Sequence, residues 1–373
     1  MPSFALDVAV MTDGKKEKAL KRSPEGPRVA VAQMAPLLGD LEQNLEMHRR
    51  AVARAEALGA DLLVFPELSL TGYRLKDTVP DVALARSSEL VAELAGLSAS
   101  LALVVGLVEE TPGHHFHNAS VYFEKGRLAA LHRKVYLPTY GMFDEQRYFA
   151  RGLRIGAFDS AVGRAAMLLC EDMLHPTALT IAALDGATVL IVPSASPVKG
   201  IVGDGEVDAN GRHWEAYNRT MARNAGLYVV YANRVGVEDG ITFWGGSEII
   251  GPAGETLAKA AYYEDDLISA VVTDAAVRRR RIHSPVLRDE DLDLTINELS
   301  RLRGRPRQPL PEGREPLGPS ARRGRPGDDD GPRRRPRLKP ERGERRRRKI
   351  EPGLALAEDK VSGGEANDGG KKT

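Results

Sequence analysis

The stretch Leu62-Leu63-Val64-Phe65-Pro66-Glu67 decides the fold class, because an unbroken apolar run ends in a proline and is followed by a carboxylate. Such a run is typical of a strand buried on both faces of a sheet. It comes after residues 41–58, where apolar side chains recur at helical spacing up to Gly59, a residue suited to end a helix. A helix leading into a buried strand is the repeating unit of an α/β fold.

The same alternation of apolar strands and helices continues to residue 272. Further strands are predicted at residues 29–33, 101–108, 165–169, 189–192, 227–232 and 267–272, and further helices at 88–97, 177–184 and 214–225. Two hairpins are predicted, one at residues 119–131 around Lys125-Gly126 and one at residues 247–260 around Pro252-Ala253-Gly254. Strands linked through helices, combined with hairpins, predict mixed sheets covered by helices.

Composition sets the domain organisation and excludes several classes of site. The 373 residues are 42% hydrophobic, enough for a large core, and we predict one domain over residues 27–303 after a flexible N-terminal segment, residues 1–26. Cys170 is the only cysteine, which excludes a disulfide within the chain, a four-cysteine zinc site and an iron–sulfur cluster. Without an apolar run of about 18 residues or a signal-peptide pattern, we expect a cytoplasmic protein with no membrane contact.

The C-terminal residues 304–373 differ sharply from the rest of the chain. Residues 301–350 contain 19 Lys and Arg against 7 Asp and Glu, and no aromatic residue follows residue 303. This composition predicts a disordered, Arg-, Pro- and Gly-rich tail, because it cannot bury enough apolar surface to offset its conformational entropy. Either the tail contacts nucleic acid or another acidic partner, or it is a solvated appendage; the lack of aromatic residues to stack on bases favours the appendage.

Three polar residues follow predicted buried strands. Glu67, Lys134 and Cys170 each stand where a strand ends, and ligands of α/β sheets bind beyond strand ends. A carboxylate can take the proton of a thiol, the thiolate can attack a carbonyl carbon, and an ammonium can stabilise the resulting oxyanion. Together these groups suit acyl transfer through a thioester. Taken singly, each has a structural alternative: an inert core cysteine, a turn glutamate and an exposed lysine.

The sequence around these three residues resembles a known family. Val64-Phe65-Pro66-Glu67-Leu68, His132-Arg133-Lys134-Val135-Tyr136-Leu137 and Leu168-Leu169-Cys170-Glu171-Asp172 resemble, in order, the three signature regions of the nitrilase superfamily, the carbon–nitrogen hydrolases. The resemblance implies a four-layer αββα sandwich that pairs with a second copy as a homodimer or higher homo-oligomer. It implies Glu67 as the base, Cys170 as the nucleophile, and Lys134 with the backbone N–H of Glu171 as oxyanion donors. Glu145 matches a further family glutamate that orients the lysine and the substrate.

Other loops narrow the resemblance. Residues 137–149, Ser194-Ala195-Ser196-Pro197 and Phe243-Trp244-Gly245-Gly246-Ser247 are similar to the glutaminase domain of glutamine-dependent NAD synthetases. This implies that Tyr140 and Phe143 wall the acyl chain and that Ser196 and Arg223 hold polar ends of the substrate; an exposed helix-face charge is the alternative for Arg223. The synthetase domain needs a Ser-Gly-Gly-x-Asp-Ser loop, which Ser362-Gly363-Gly364-Glu365 does not match. We therefore expect a free-standing amidase rather than a complete synthetase.

The function expected from these residues is a thiol-dependent amidase that hydrolyses a small carboxamide, glutamine-like or an ω-amide, with no metal and no cofactor. One alternative is a glutaminase-type subunit that supplies ammonia to a separate NAD synthetase, and another is a nucleic-acid-binding protein acting through the tail. Nitrile hydrolysis is disfavoured, because family members of that type usually have tryptophan where Glu171 stands.

Three smaller features are interpreted as structural. His114, His115 and His117 are expected in an exposed loop rather than in a metal site. Asn118 is expected to open a strand, and Trp244 to pack in the core.

Overall fold

The structure is a computed structural model, and it describes residues 25–200 and 207–304. The first part of the chain forms β1 (Arg28–Gln33), α1 (Leu41–Ala57), β2 (Leu62–Val64), a 3-10 turn (Lys76–Thr78), α2 (Val79–Val82), α3 (Glu89–Leu97), β3 (Ala102–Glu110), β4 (Phe116–Glu124) and β5 (Arg127–Arg133). The central part forms α4 (Glu145–Tyr148), β6 (Ala157–Ser160), β7 (Gly163–Met167), α5 (Glu171–Leu174), α6 (Pro176–Leu184), β8 (Val189–Ser194), α7 (Ala209–Ala225) and β9 (Tyr228–Asn233).

The last described part contains two hairpins, a final strand and two helices. Its elements are β10 (Val235–Glu238), β11 (Ile241–Trp244), β12 (Glu248–Ile250), β13 (Thr256–Lys259), β14 (Asp266–Val271), α8 (Asp274–His283) and α9 (Leu292–Arg303). In the described part of the chain, no helix is both long enough and apolar enough to cross a membrane.

Two six-stranded sheets form the frame. The first has the order β14-β1-β2-β3-β4-β5 and the second the order β13-β12-β9-β8-β7-β6, while β10 and β11 pair separately. In each six-stranded sheet three central strands are parallel, β1-β2-β3 and β7-β8-β9, and the outer strands pair antiparallel. The prediction of mixed sheets is therefore confirmed.

Three apolar layers hold the sheets and helices together. Val31 and Val64 of the first sheet share one core with Ile191 and Val230 of the second, so the sheets pack face to face. The outer face of the first sheet packs on α1 and α3, and the outer face of the second packs on α6 and α7. The predicted four-layer αββα sandwich is confirmed.

Several boundaries differ from the sequence prediction. Helix α7 begins at Ala209 rather than Trp214, because Asp208 caps it by accepting a hydrogen bond from the Gly211 N–H at 2.8 Å. Leu58, expected on the apolar face of the first helix, is 47% exposed just after that helix ends. Strand β6, the β10–β11 hairpin, and helices α8 and α9 were not predicted. Apart from Glu25, Gly26 and Gly304, the predicted flexible segment and tail lie outside the described residues.

Candidate functional site

A lysine between two carboxylates forms the centre of the site. Lys134 directly follows β5, and its Nζ donates hydrogen bonds to Glu67 Oε1 at 2.7 Å and to Glu145 Oε1 at 2.6 Å. All three side chains are buried. Glu67 lies in the loop after β2, and Glu145 is the first residue of α4. Residues far apart in the sequence therefore meet at one edge of the first sheet.

The carboxylate of Glu67 is held on both oxygens. Asn118 Nδ2, from β4, donates to Oε1 at 2.8 Å, and the backbone N–H of Ala195, just after β8, donates to Oε2 at 2.9 Å. The first of these donors belongs to the first sheet and the second follows a strand of the second sheet. Glu67 is thus fixed at the junction of the two sheets.

Cys170 occupies a strained turn between β7 and α5. Its φ of 43° and ψ of −99° are unfavourable for any residue with a Cβ, and strain of this kind is found at functional sites. The conformation is held by a hydrogen bond from the Cys170 N–H to the Pro193 carbonyl at 2.9 Å. Because the chain turns sharply here, Glu171 begins a new helix immediately after the thiol.

The charges around the thiol perturb one another. Burial, followed by the Glu67 carboxylate, raises the pKa of Cys170 far above its usual range, while Lys134 opposes the shift. Burial alone would lower the pKa of Lys134, but Glu145 and Glu67 outweigh it and hold that pKa well above its usual value. The thiol therefore rests protonated beside a permanent ammonium, and it needs a base to become a nucleophile.

Glu145 titrates near neutrality. Burial raises the pKa of Glu145 to about 7, even though Lys134 favours the charged form. A single ammonium compensates only one of the two carboxylates that share it, and the negative charge of Glu67 also raises the pKa of Glu145. The cluster therefore gains or loses one proton close to pH 7.

Asp172 joins the turn that bears the thiol to the loop that bears the lysine. Its Oδ1 accepts hydrogen bonds from the N–H groups of Val135 at 3.0 Å and Tyr136 at 2.8 Å, and its Oδ2 accepts one from the Leu169 N–H at 3.1 Å. His132 Nε2 lies 2.8 Å from the same Oδ2. Asp172 is fully buried, so this one carboxylate sets the spacing of the two loops.

Most of the residues expected to bind substrate lie close to this cluster. Tyr140 donates its hydroxyl to Glu171 Oε2 at 2.7 Å, and its ring meets the ring of Phe143 at 5.6 Å. Ser196 is buried, with its Oγ accepting a hydrogen bond from Asn210 Nδ2 at 3.0 Å. Arg223 is the exception: it is exposed near the end of α7, and its carbonyl accepts hydrogen bonds from Arg280. The exposure of Arg223 agrees with the alternative given for it, a charge on the face of the helix, and its contact with substrate stays a prediction.

Two cavities lie near the site, and Glu145 is the one cluster residue among the residues that line them. One, of about 550 Å³, is lined by Tyr140, Glu171 and His175 among others, and the second, of about 560 Å³, is lined by Tyr73, Phe143 and Glu145 among others. Both volumes lie in the range of small-molecule sites. The loop that carries Tyr140 and Phe143 contributes residues to both cavities.

Two residues of the site were missed or misread from the sequence. Asn118, interpreted as structural, contacts both Glu67 and Glu145, the latter at 3.5 Å. The sequence feature that could have indicated this role is a polar residue within a strand, where the residues on either side of Asn118 are buried. Tyr73 donates a hydrogen bond from its hydroxyl to Glu145, and nothing in its local sequence predicted this contact.

The histidine segment is only partly as expected. His114 and His115 are exposed, but His117 is buried in β4, with its Nδ1 lying 2.7 Å from the Ala150 carbonyl. Within residues 25–200 and 207–304, no group of three or more His, Cys, Asp or Glu side chains is arranged to hold a metal ion. Trp244 is fully buried in the core, as expected.

Sequence comparisons place the described body among known proteins. The sequence profile of the carbon-nitrogen hydrolase family matches residues 28–282. The glutamine-dependent NAD(+) synthetase of Thermotoga maritima is 30% identical over 245 residues, covering 65% of this chain and 41% of that protein. The corresponding enzyme of Rhodobacter capsulatus is 31% identical over 271 residues, covering 70% and 46%. The chain spans less than half the length of these curated relatives.

Solved structures give a concordant result. A carbon-nitrogen hydrolase from Helicobacter pylori superposes with a TM-score of 0.64 at 28% identity, covering 74% of this chain and 99% of that one. An amidase from Nesterenkonia sp., solved in complex with acrylamide, superposes with a TM-score of 0.62 at 26% identity, covering 76% and 100%. Another structure of that amidase shows covalent addition of the acetamide moiety of fluoroacetamide at its active-site cysteine.

Proposed function

The chain belongs to the carbon–nitrogen hydrolase family, and from that premise we propose that it is a thiol-dependent amidase. It hydrolyses a small carboxamide, glutamine-like or an ω-amide, to a carboxylate and ammonia through a thioester on Cys170. The observation that carries this proposal is the buried cluster of Glu67, Lys134 and Glu145 beside the strained turn of Cys170.

Acylation begins with transfer of the Cys170 proton to Glu67. The thiol rests protonated because burial raises its pKa, so attack on the amide carbon is coupled to this transfer. As the carbon–sulfur bond forms, the carbonyl oxygen becomes an oxyanion between Lys134 Nζ and the backbone N–H of Glu171. Donors fixed in a water-poor site stabilise this charge without reorganising.

Collapse of the tetrahedral intermediate breaks the carbon–nitrogen bond. Glu67 returns its proton to the departing nitrogen, which leaves as ammonia, and the acyl group remains on sulfur. Glu67 then takes a proton from a water molecule, and the hydroxide attacks the thioester carbon. The thiolate leaves, recovers that proton from Glu67, and a carboxylic acid is released. Each turnover consumes one amide and one water and regenerates the starting site.

The residues around the cluster support a small acyl group. Phe143 and Tyr140 give apolar walls, while Glu171 and Ser196 offer polar contacts for the far end of the substrate. Glu145 is a positioning residue for Lys134, because it holds the same Nζ that faces the oxyanion.

Ammonia release from a panel of primary amides and N-carbamoyl compounds, with glutamine first, tests the proposal. Cys170→Ala and Cys170→Ser should each lower kcat/KM by at least about 10⁴-fold, because the thiolate forms the covalent bond. Glu67→Gln keeps the size of the side chain and removes the base, so it should also be inactive. Full amidase activity in either Cys170 variant would refute the assignment.

A second candidate function is favoured by the relatives. The matching proteins are glutamine-dependent NAD(+) synthetases, and this chain covers less than half of their length. The alternative is therefore that the chain is a subunit that supplies ammonia to a separate synthetase. Such a subunit should show low glutaminase activity alone and at least tenfold stimulation by the synthetase. Equal glutaminase rates with and without the synthetase would exclude this role.

The remaining expectations concern partners and domain organisation. Pairing with a second copy stays a prediction, which sedimentation measurements test. The division of the chain into residues 1–26, 27–303 and 304–373 also stays a prediction. Nucleic-acid binding through the tail is the third candidate function. It rests on the excess of Lys and Arg in residues 301–350, most of which lie outside the described residues.

A further inference from the structure

The β10–β11 hairpin stands apart from both six-stranded sheets. Its strands pair from Val235 opposite Trp244 to Glu238 opposite Ile241, and Asp239 and Gly240 form the turn with φ angles of 50° and 76°. The residue that precedes the hairpin, Arg234, is 1% exposed, and Glu238 at the end of β10 is 5% exposed. This two-stranded hairpin therefore buries an ion pair, Arg234 with Glu238, close to the candidate site.

Glu238 reaches out of the hairpin to hold another loop. Its Oε1 accepts hydrogen bonds from the N–H groups of Tyr73 at 2.9 Å and Arg74 at 2.6 Å. Its Oε2 accepts one from Arg234 Nη1 at 2.5 Å. The Arg234 guanidinium in turn lies 4.3 Å from the centre of the Phe243 ring, on the opposite strand. Both charges are thus paired, and the carboxylate is aimed at two consecutive backbone donors.

The loop that Glu238 holds carries the phenol that contacts Glu145. Tyr73 donates its hydroxyl to Glu145, and its ring meets the edges of Phe143 and Phe243 at 6.2 and 6.3 Å. The fit is close, since a Cβ on Gly72 would lie 2.9 Å from Glu238 Oε2. A continuous series of contacts therefore runs from Arg234 through Glu238, Tyr73 and Glu145 to Lys134.

We propose that Arg234 and Glu238 are positioning residues for Glu145, acting through Tyr73. The inference rests on the proposed function, because Glu145 matters only if Lys134 serves the reaction. A buried ion pair is seldom more stabilising than apolar residues of the same size, so stability alone does not account for it. The Glu238 carboxylate instead positions other groups: it fixes the backbone at Tyr73, and the Tyr73 hydroxyl then fixes one oxygen of Glu145.

The proposal has a consequence for proton binding. Glu145 is faced by Lys134 after β5, Glu67 after β2, Asn118 on β4, the Cys170 thiol and the Tyr73 hydroxyl. Among these, the hydrogen bond from Tyr73 lowers the pKa of Glu145 and partly offsets the effect of burial. Displacing the phenol should therefore make Glu145 hold its proton to higher pH.

Variants of Glu238 test the proposal in the full chain. Glu238→Ala should lower kcat for an amide that the protein hydrolyses by about 30- to 100-fold, with little change in KM. It should also shift the acidic side of the pH–kcat profile to higher pH by about one unit. Glu238→Gln keeps an acceptor oxygen for Tyr73 and should recover part of both effects. Asp239→Asn is the matched control: the adjacent Asp239 pairs with the side chains of Lys76 and Arg74 but with neither backbone N–H that Glu238 holds, so the variant should behave as wild type.

A double-mutant cycle separates positioning from general destabilisation. Tyr73→Phe removes only the hydroxyl and should shift the pH profile in the same direction as Glu238→Ala. If Glu238 acts through Tyr73, the variant with both changes should be no slower than the slower single variant. Fully multiplicative losses, or a Glu238→Ala variant with lowered Tm but wild-type kcat and pH profile, would overturn the proposal. Where Glu238→Ala does not fold, Glu238→Gln and Tyr73→Phe complete the same cycle.

Alkylation of the single cysteine gives a readout that does not depend on the substrate. The rate at which iodoacetamide modifies Cys170 is measured against pH in the wild type and the same variants. A protonated Glu145 no longer raises the pKa of the thiol, so Glu238→Ala and Tyr73→Phe should both move the alkylation profile to lower pH. Equal shifts of this kind support the positioning role, even if no amide in the panel is hydrolysed and the proposed function fails. Unshifted alkylation profiles in both variants would refute the positioning role, whatever the amidase assay shows.

Discussion

The ammonium of Lys134 lies between Glu67 and Glu145, and the protonation of Glu145 depends on both of these neighbouring charges. Two carboxylates and one ammonium would leave an uncompensated negative charge in a buried volume. The site relieves this by keeping a proton on Glu145 up to about pH 7. Loss of that proton strengthens the hold on Lys134, and this is why neutral to alkaline pH should favour the reaction.

Replacing Glu145 by glutamine tests this charge balance. In the wild type, kcat/KM should rise with pH through a step near 7, as Glu145 ionises. In Glu145→Gln the step should disappear and kcat should fall by about 100-fold, because Lys134 loses one of its two acceptors. The measurement is a pH profile of ammonia release from pH 5 to 9 for both proteins. An unchanged step in the variant would assign the titration to another group.

The same replacement predicts a change in stability with pH. A carboxyl group whose pKa rises on folding from 4.5 to about 7 favours the folded state at low pH, and that contribution is lost as pH rises from 4.5 through 7. The free energy of unfolding of the wild type should therefore fall relative to Glu145→Gln over this window. Urea unfolding at pH 4.5 and pH 7.5 measures it, and a constant difference between the two proteins would contradict it.

Chemistry at the residue scale was partly readable from the sequence. Glu67, Lys134 and Cys170 stood at strand ends, and the structure brings the first two into contact and places the third within electrostatic reach. Asn118 was misread, because a single polar residue in a strand gives no indication of which carboxylate it will meet. The two readings of Arg223 could not be separated from the sequence, because the register of a helix face against a distant pocket depends on tertiary packing.

At the scale of elements, a glycine in β3 lets the loop that bears Glu67 lie close to the sheet. A Cβ at Gly106 would fall 2.4 Å from the Leu68 nitrogen and 2.6 Å from the Pro66 oxygen. Gly106→Ala should therefore displace Glu67, lowering kcat/KM at least tenfold and the free energy of unfolding by about 2 kcal/mol.

The control for that change lies in α3. Gly96 is exposed, and a Cβ added there would meet no atom of another element within 4 Å, so Gly96→Ala should stabilise the protein by about 0.5–1 kcal/mol and leave the activity unchanged. Urea unfolding and ammonia release measure both variants. Equal behaviour of the two variants would show that the close approach at Gly106 is unimportant.

The linkage between the thiol turn and the lysine loop is tested at Asp172. Asp172→Ala would leave the N–H groups of Val135, Tyr136 and Leu169 without their acceptor inside the protein. The expected cost is about 3 kcal/mol in the free energy of unfolding. Asp172→Asn keeps one acceptor oxygen and should cost less. Denaturant midpoints that match the wild type would show that other contacts set the spacing of the two loops.

Elements with strong local signals were predicted, and those that depend on distant contacts were not. Helix α1 has both an apolar stripe and an Asp40 cap, and the β4–β5 hairpin has Lys125-Gly126 at its turn. The β10–β11 hairpin was missed although Asp239-Gly240 is a common hairpin turn, because Val235–Glu238 is only four residues long and its burial opposes its hydrophobicity: Val237 is exposed and Glu238 is buried. Its burial comes from partners elsewhere in the chain, chiefly the loop at Tyr73.

At the scale of the whole molecule, the site exists because the two sheets pack face to face. Glu67 and Lys134 follow strands of the first sheet, and Cys170 follows a strand of the second. The shared core, with Val64 on one sheet and Ile191 on the other, fixes the distance between the two sides. Topology places the residues at one edge, but only the packing brings the thiol toward the base.

Deletion of residues 304–373 separates the body from the tail. Because all cluster residues lie in the first 303 residues, the shortened protein should keep kcat/KM within about twofold of the full chain. Ammonia release measures the activity, and a filter-binding titration with RNA at two salt concentrations measures the contribution of the tail. The nucleic-acid function would be favoured instead if the body hydrolyses no amide and if deletion of the tail abolishes RNA binding.

The covalent intermediate is the most direct test of the account. The protein is mixed with a turned-over amide, quenched in acid within milliseconds, and analysed by intact mass and by peptide mapping. We predict an added acyl group on the peptide that contains Cys170, close to one per chain, that hydroxylamine releases as a hydroxamate and that is absent from Cys170→Ala. Steady ammonia release with no adduct on that peptide, and with Cys170→Ala as active as the wild type, would contradict the account.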